Sequence, residues 1–344
     1  MTAEEALAVD LNSQISFYPE QEDGYFLLRN QTDFIIFANM VNGGTNRINA
    51  KLLTDVDLSK TEYPDLMIGT EAAEYAGIFD GCGHTITYHY ENVSEKWRGL
   101  FAFVNGATIR NLRVEGSVYV TQIHYGALIG RAYGTVLVEN VITDVDITGA
   151  MNQVTGDGGM LGANYANITF NNCATFGTMG YEGSSMYCGF VAWDNGGTTT
   201  TLNNCYTACT LTEGTGLDYC YTFCRTNGTV KLNNCYYLNK VGVAQGPAMT
   251  EEQFQNGEVC YKLNGDQSEI HWFQTIGEDP FPVLDESHLS VIVNEDGTYG
   301  NTTGLETIAA QQPADDSIYN LQGQKVEKAR KGIYIINRKK ILVK

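Results

Sequence analysis

The chain has 344 residues, 43% of them hydrophobic, so it can bury a large core and is not intrinsically disordered. Its formal net charge is −19; residues 321–344 carry eight basic residues against one acid, a balance of +7, which leaves −26 on residues 1–320. Such an acidic body argues against a nucleic-acid partner. No run of about 18 apolar residues is present, so no membrane-spanning helix is predicted. With 37 glycines, 21 tyrosines and six prolines, the composition favours an all-β protein of short strands and tight turns.

Residues 1–48 are predicted to form an N-terminal segment that ends in a capping helix. "MTAEEALAVD" has neither a basic n-region nor an apolar h-region, so either the protein stays inside the cell or a leader has been removed. Over residues 30–44, Asn30 or Thr32 is a candidate N-cap, apolar residues recur at helical spacing, and Gly43 ends the pattern. Such a helix would cover the open strand edge of a first repeat.

Residues 49–248 contain a repeat with a period near 30. One asparagine recurs at intervals of 29, 32, 32 and 30 residues, and a glycine-led column such as "YGALIGRA" precedes it in each unit. The units contain short alternating segments rich in β-branched residues, and such units must stack on their neighbours to bury their apolar faces. The pattern predicts a right-handed parallel β-helix of about six coils. The recurring asparagines are Asn111, Asn140, Asn172, Asn204 and Asn234.

The same segments carry a family resemblance. "YGALIGRAYGTVLVENVITDVDITG" at 125–149 and its neighbours resemble the GLUG-type repeat of Bacteroidetes surface proteins, and "AGIFDGCGHTITY" at 76–88 resembles the opening coil of such proteins. The resemblance covers about residues 45–240. It implies a β-helix at the cell surface, with an adhesin-like role, and it supplies no catalytic motif.

The C-terminal third is predicted to divide into three parts. Residues 249–293 form a cap with a helix that begins at Thr250, followed by a closing segment. The polar, Gly/Thr-rich residues 294–316 are a linker. Residues 317–344 alternate apolar and polar residues, which predicts two or three antiparallel strands. This tail resembles the end of type IX secretion sorting domains, and the resemblance implies a secreted or cell-surface protein whose signal peptide has been removed.

The repeated "NNC" raises three alternatives for its cysteines: stacked buried thiols, disulfides between coils, or a metal site. Cys173, Cys205 and Cys235 fall in the slot that Leu112 and Val141 occupy in earlier units, which favours interior filling. Zinc would need four ligands converging on one point. No metal or cofactor is therefore expected from this motif, and the asparagine before each interior residue is predicted to form the turn.

Two acidic pairs are weak candidates for calcium. Asp55 with Asp57, and Asp144 with Asp146, lie two residues apart, so each pair lies on one outer face of its strand. Such carboxylates also suit acid–base catalysis of glycoside hydrolysis. Solvated surface carboxylates remain the simpler interpretation.

A polysaccharide lyase or glycoside hydrolase is the main alternative function. A lyase would need a base and cations that neutralise a uronate. The histidines and basic residues that could fill these roles form no recognisable catalytic motif, so no catalytic residue is assigned. Candidate bases are His84, His89 and His124; candidate cations are Arg98, Arg110, Arg113, Arg131 and Lys231.

The outward positions one and three residues after each interior residue of this slot form what we term the outer column, which becomes apolar and aromatic toward the C-terminus. It has two interpretations: residues 266–293 fold back over it, or it binds a glycan or a host or bacterial surface protein. The leading hypothesis is a non-catalytic adhesin-like protein that binds through this column. A purely structural spacer is the third alternative. The candidate binding residues are Ile142, Phe176, Tyr206 and Tyr236.

Overall fold

A computed structural model describes residues 19–93, 96–150 and 154–302, together with the short tail segments 318–320, 325–326, 332–336 and 339–343. The protein is a parallel β-solenoid of about six turns with few helices, as predicted. Among these residues, no helix is both long and apolar enough to cross a bilayer.

The N-terminal helix forms where the sequence predicts it. Strands β1 (Gln21–Glu22) and β2 (Tyr25–Leu28) pair antiparallel, and helix α1 (Gln31–Asn42) follows. Asn30 caps α1 by accepting a 2.9 Å hydrogen bond from the Asp33 backbone N–H. The apolar face of α1 packs on the first coils, and its buried residues are Phe34, Phe37, Ala38 and Val41.

One 18-stranded sheet forms the solenoid, and its neighbouring coils pair in parallel. Leu161, for example, lies opposite both Ile129 and Val191, one coil to either side. A 3₁₀ helix, Leu58–Lys60, follows β4. After β1 and β2, the sheet contains β3 (Asn49–Leu52), β4 (Val56–Asp57), β5 (Ile78–Asp80), β6 (Thr85–Val93), β7 (Phe101–Asn105), β8 (Thr108–Val120), β9 (Ile129–Gly149), β11 (Leu161–Asn171), β12 (Ala174–Phe176), β13 (Thr178–Met179), β15 (Val191–Asp194), β16 (Thr199–Asn203), β17 (Tyr206–Thr207), β18 (Thr210–Leu211), β19 (Thr229–Asn233) and β20 (Tyr236–Tyr237). Strands β10 (Val154–Gly158) and β14 (Ser185–Cys188) form a separate parallel pair.

The cysteines of the repeat fill the interior of the solenoid, which confirms their predicted place. Cys173, Cys205 and Cys235 are at most 3% exposed and continue the buried column of Leu112 and Val141. All nine cysteines lie in the described residues and are free thiols, and eight of them are buried. Cysteine suits this slot because a buried free thiol packs as a small hydrophobic side chain.

The repeated asparagines turn the chain at one corner of each coil. Asn111, Asn140, Asn172, Asn204 and Asn234 have φ between 51° and 55°, the left-handed conformation that asparagine tolerates better than most residues. This agrees with their predicted role as turn residues. The corners lie above one another, so their side-chain amides meet along the solenoid.

Helices α2 (Glu251–Gln255) and α3 (Glu258–Asn264) begin the C-terminal part, and Thr250 caps α2 in a capping box. They pack on the flank of the solenoid, where a second apolar core includes Tyr206, Phe254 and Trp272. Strands β21 (Val291–Val293) and β22 (Tyr299–Asn301) form a hairpin, so the predicted linker does not start at residue 294. Residues 303–316 of that linker lie outside the described residues.

The described tail segments form a small antiparallel sheet of four short strands, where the alternating sequence predicts two or three. The strands are β23 (Ile318–Tyr319), β24 (Lys325–Val326), β25 (Gly332–Ile336) and β26 (Lys339–Val343). The order across the sheet is β24-β23-β25-β26, so β24 lies at one edge.

Candidate ligand-binding surface

The outer column is covered. Tyr206 is fully buried, Ile142 is 5% exposed, and Phe176 and Tyr236 are partly buried against the second apolar core. The structure supports the interpretation in which the closing segment, within residues 266–293, folds back over this column. The column is therefore not an exposed platform for a glycan, because its aromatic surface is already buried within the chain.

Contacts between aromatic rings and one hydrogen bond hold the C-terminal segment against the outer column. The Tyr206 ring centroid lies 5.2 Å from that of Trp272 and 5.5 Å from that of Phe254. Its hydroxyl donates a 2.7 Å hydrogen bond to the Pro282 carbonyl. Burial raises the pKa of Tyr206 well above its ordinary value. The residue is thus a buried anchor for the C-terminal segment.

The acidic pairs face outward as predicted, but each carboxylate has its own partner. Asp55 accepts from the Thr85 backbone N–H at 2.9 Å, and Asp146 accepts from that of Thr178 at 2.8 Å. Lys60 lies 2.6 Å from Asp57, and this contact lowers the pKa of Asp57. Burial raises the pKa of Asp144, and nearby Arg113 opposes the rise. Within the described residues, no group of three or more His, Cys, Asp or Glu is arranged to hold a metal ion.

The candidate bases have three different partners. His84 Nδ1 is 3.1 Å from Asp55, and His89 Nδ1 is 2.9 Å from the Ser117 hydroxyl. The ring of His124 lies 5.4 Å from that of Trp193. Burial, aided by nearby positive charges, lowers the pKa of His124 to about 4, so this imidazole is neutral at pH 7.

The candidate cations are mostly occupied by carboxylates of the chain itself. Arg110 donates to Asp80 at 2.9 Å, and Arg113 contacts Glu115 and Asp144. Arg98 is half-buried, which lowers its pKa, and Lys231 is exposed on β19. A uronate would have to displace these carboxylates, so this arrangement does not favour a lyase.

A different surface carries aromatic side chains in a continuous row. We define the aromatic strip as Trp97, Tyr133, Tyr165 and Trp193 together with Arg131, and each of these side chains is partly exposed. Tyr133 of β9 lies opposite Tyr165 of β11, and their ring centroids are 5.2 Å apart. The Tyr165 and Trp193 centroids are 5.1 Å apart. The rings therefore follow the stacking of the coils, which repeats at about 4.8 Å.

Arg131 joins the first tryptophan to this row. Its guanidinium carbon lies 4.3 Å from the Trp97 ring centroid, 4.7 Å from that of Tyr133 and 4.3 Å from that of Tyr165. Only 12% of the Arg131 side chain is exposed. Cation–π contacts at these distances fix the rings in place, and they are worth about 0.5–2 kcal/mol each.

Acidic and polar groups border the strip. Glu71 lies 3.8 Å from Arg131 and is 74% exposed, and Glu74 accepts a 2.7 Å hydrogen bond from Asn105. Burial raises the pKa of Tyr133, and the charge of Arg131 opposes that rise. Hydrogen-bonding groups therefore lie beside apolar ring faces, an arrangement found in ligand sites.

The backbone is strained at both ends of this surface. Trp97 has φ of 59° and His124 has φ of 67°, a left-handed conformation that is uncommon for residues other than glycine. Such strain costs on the order of 1–3 kcal/mol and clusters at ligand sites. It persists here because neighbouring coils hold both residues.

The aromatic strip was not predicted, although part of its signal lay in the glycine-led column. Tyr133, Tyr165 and Trp193 occur at intervals of 32 and 28 residues, close to the repeat period. Trp97 lies between β6 and β7, whereas Arg131 lies on β9. The parallel register of β7 with β9 brings these two side chains together, and the sequence did not predict that contact.

Comparison with known proteins gives a relationship at the level of fold. No protein family profile and no curated protein sequence matches the chain. The crystal structure of a "putative immunoglobulin A1 protease" from Bacteroides ovatus is similar over 77% of this chain and 93% of that chain, with a TM-score of 0.56 and 12% sequence identity. At that identity the similarity shows the β-solenoid fold alone.

Proposed function

We propose that the protein is a secreted or cell-surface, adhesin-like protein that binds a glycan through its aromatic strip, without catalysis. The observation that carries the proposal is the row of partly exposed rings, 5.1–5.2 Å apart, that crosses successive coils. Aromatic rings offer an apolar face and a polar edge, which suits the mixed apolar and hydroxyl surface of a sugar.

The geometry suits an extended ligand rather than a small compact one. The rings lie on neighbouring coils, so several sugar units of one chain can contact the strip in succession. Arg131 holds the rings in a fixed arrangement, which reduces the entropy lost when a ligand binds. Glu71 and Glu74 supply acceptors for hydroxyl groups at the border.

The location outside the cell is part of the same proposal. It is supported by the GLUG-type resemblance of residues 45–240 and by the likeness of the basic tail, 317–344, to type IX sorting domains. The small antiparallel sheet at the C-terminus is compatible with that assignment. A glycan on a host or bacterial surface is the partner that we propose.

A glycan array followed by titration calorimetry tests the binding proposal. Tyr165→Ala and Trp193→Ala should each weaken binding of the array's best polysaccharide about two- to tenfold, the effect of losing one ring contact. Tyr119→Ala is the matched control, because Tyr119 is 40% exposed on β8 and lies outside the strip. The proposal fails if the wild-type protein binds no glycan or if all three variants bind equally.

The same polysaccharides should be assayed for release of reducing sugar and of unsaturated uronate. No release is expected from a non-catalytic adhesin. Release with retained binding would instead support the lyase or hydrolase alternative. A protein that neither binds nor cleaves would fit a structural spacer.

A peptidase is a second candidate, suggested by the printed name of the structural neighbour and by the contact between His89 and Ser117. A serine peptidase needs an acid that orients the histidine. Here Asp146 lies on the far side of Ser117 from His89, and it accepts a hydrogen bond from the Thr178 backbone. Cleavage of immunoglobulin A1 that Ser117→Ala abolishes would establish this candidate; we expect no cleavage.

A further inference from the structure

A concave surface apart from the aromatic strip lies at the asparagine corner of the middle coils. It is a cleft of about 430 Å³ between the solenoid and the C-terminal segment, which contributes Gln267 and His271. Ligand sites for small molecules have volumes of roughly 300–1,000 Å³. The solenoid side of the cleft is formed by Glu139, Asn140, Asn171, Asn172, Asn203 and Asn204.

Hydrogen bonds between side-chain amides run along this corner in two ladders. In the inner ladder, Asn140 donates to Asn111 at 2.9 Å and Asn172 donates to Asn140 at 3.3 Å. Asn234 likewise donates to Asn204 at 2.9 Å. These bonds orient each amide, with its oxygen toward the next coil.

The outer ladder consists of the residues that precede the corner. Asn203 donates to Asn171 at 2.8 Å, and Asn233 donates to Asn203 at 2.8 Å. Glu139 occupies the corresponding position one coil earlier, opposite Asn171. Its carboxylate lies 3.9 Å from Arg110, so its charge is partly balanced.

The inner ladder is interrupted inside the cleft. Asn172 is 5% exposed, and its Oδ1 is a buried acceptor without a hydrogen-bond partner. In the part of the chain that the structure describes, no hydrogen bond joins the Asn172 and Asn204 side chains, although every other neighbouring pair of the ladder is joined. An unpaired buried acceptor costs about 1–3 kcal/mol.

We propose that this cleft is a second binding site, which takes one neutral, hydroxyl-rich sugar unit. A hydroxyl group can donate to Asn172 Oδ1 and accept from Asn204 Nδ2, which completes the interrupted ladder. The amide of Asn171, which borders the same space, offers a further donor to a neighbouring hydroxyl. The lining contains no lysine or arginine, so it does not favour an anion.

The site is independent of the aromatic strip. The rings of the strip come shortly before Val136 on one coil and Ile168 on the next. The cleft lies at the end of the segments that begin with these two residues, at Asn140 and Asn172. Binding at one surface therefore does not require the other.

Saturation-transfer NMR and calorimetry with methyl glycosides of glucose, galactose, mannose and N-acetylglucosamine test the site on the full chain. At least one glycoside should bind the wild-type protein at millimolar concentration. Asn172→Gly, which keeps the left-handed corner accessible but removes the acceptor, should weaken that binding at least about tenfold. Asn111→Gly removes an equivalent corner amide outside the cleft and should bind like the wild-type protein.

A second variant keeps the test valid if Asn172→Gly does not fold. Asn171→Ala removes a donor at a position without a left-handed backbone and should also weaken binding. Absence of binding by the wild-type protein, or equal binding by Asn171→Ala, Asn172→Gly and Asn111→Gly, would overturn the proposal. Tyr165→Ala should leave this binding unchanged, so the cleft and the strip can fail separately.

Discussion

The hydroxyl of Tyr206 donates a 2.7 Å hydrogen bond to the carbonyl oxygen of Pro282, 76 residues further along the chain. The ring of the same tyrosine contacts Trp272, Phe254 and Phe281. One side chain of the solenoid wall thus anchors the segment that covers it. The C-terminal segment is part of the folded body and not an appendage of the repeats.

Tyr206→Phe tests this anchor. The substitution keeps the ring but leaves the buried Pro282 carbonyl without its donor, so the free energy of unfolding should fall by about 1–2 kcal/mol. Urea unfolding followed by tryptophan fluorescence measures the change. Tyr119→Phe, at an exposed position, should have no measurable effect. Equal unfolding midpoints for both variants would show that the hydrogen bond does not stabilise the cover.

Thiol labelling tests the interior cysteine column. Cys82 is the exposed cysteine, and burial together with nearby Asp80 raises its pKa to about 11, so it should react slowly at pH 8. The other cysteines should react only after unfolding, because burial keeps reagents from them. Ellman's reagent should detect one slow thiol in the native protein and nine in urea. Cys82→Ser should remove the native signal, whereas rapid labelling of further thiols would contradict the buried column.

The pH dependence of stability should contain a contribution from His124. Its folded-state pKa of about 4 lies below the ordinary value of 6.5, so between these values the unfolded chain binds the proton more strongly. Stability is therefore full above pH 6.5 and falls as the pH decreases toward 4. The contribution should be about 2 kcal/mol between pH 7 and pH 5.

His124→Gln is the comparison for this effect, because glutamine keeps polarity but does not titrate. The wild-type protein should lose more stability than the variant between pH 7 and pH 5, as measured by urea unfolding at each pH. Nearby Lys96, Arg131 and Arg225 lower the pKa of His124 and so favour its neutral imidazole. Parallel stability curves for the two proteins would show that the imidazole is not buried in the neutral form.

Local and periodic features were predictable because they depend on residues close in sequence. Asn30 and the apolar spacing of residues 34–41 were enough for helix α1, and a turn-forming asparagine every 29–32 residues was enough for stacked coils. The replacement of Leu112 and Val141 by cysteine in later repeats was enough to place the thiols inside. Each of these inferences follows from a short-range preference repeated along the chain.

The candidate surfaces were decided by contacts between distant residues. The sequence alone left open whether Tyr206 is exposed, and the packing of Trp272 and Phe281 against it decided that it is buried. The row from Trp97 to Trp193 depends on side chains from four coils, and the cleft beside the amide ladder depends on where the closing segment lies. The repeat period determined the solenoid because every coil repeats the same local pattern, whereas the exposed surface depended on tertiary packing because covering segments and loops do not repeat.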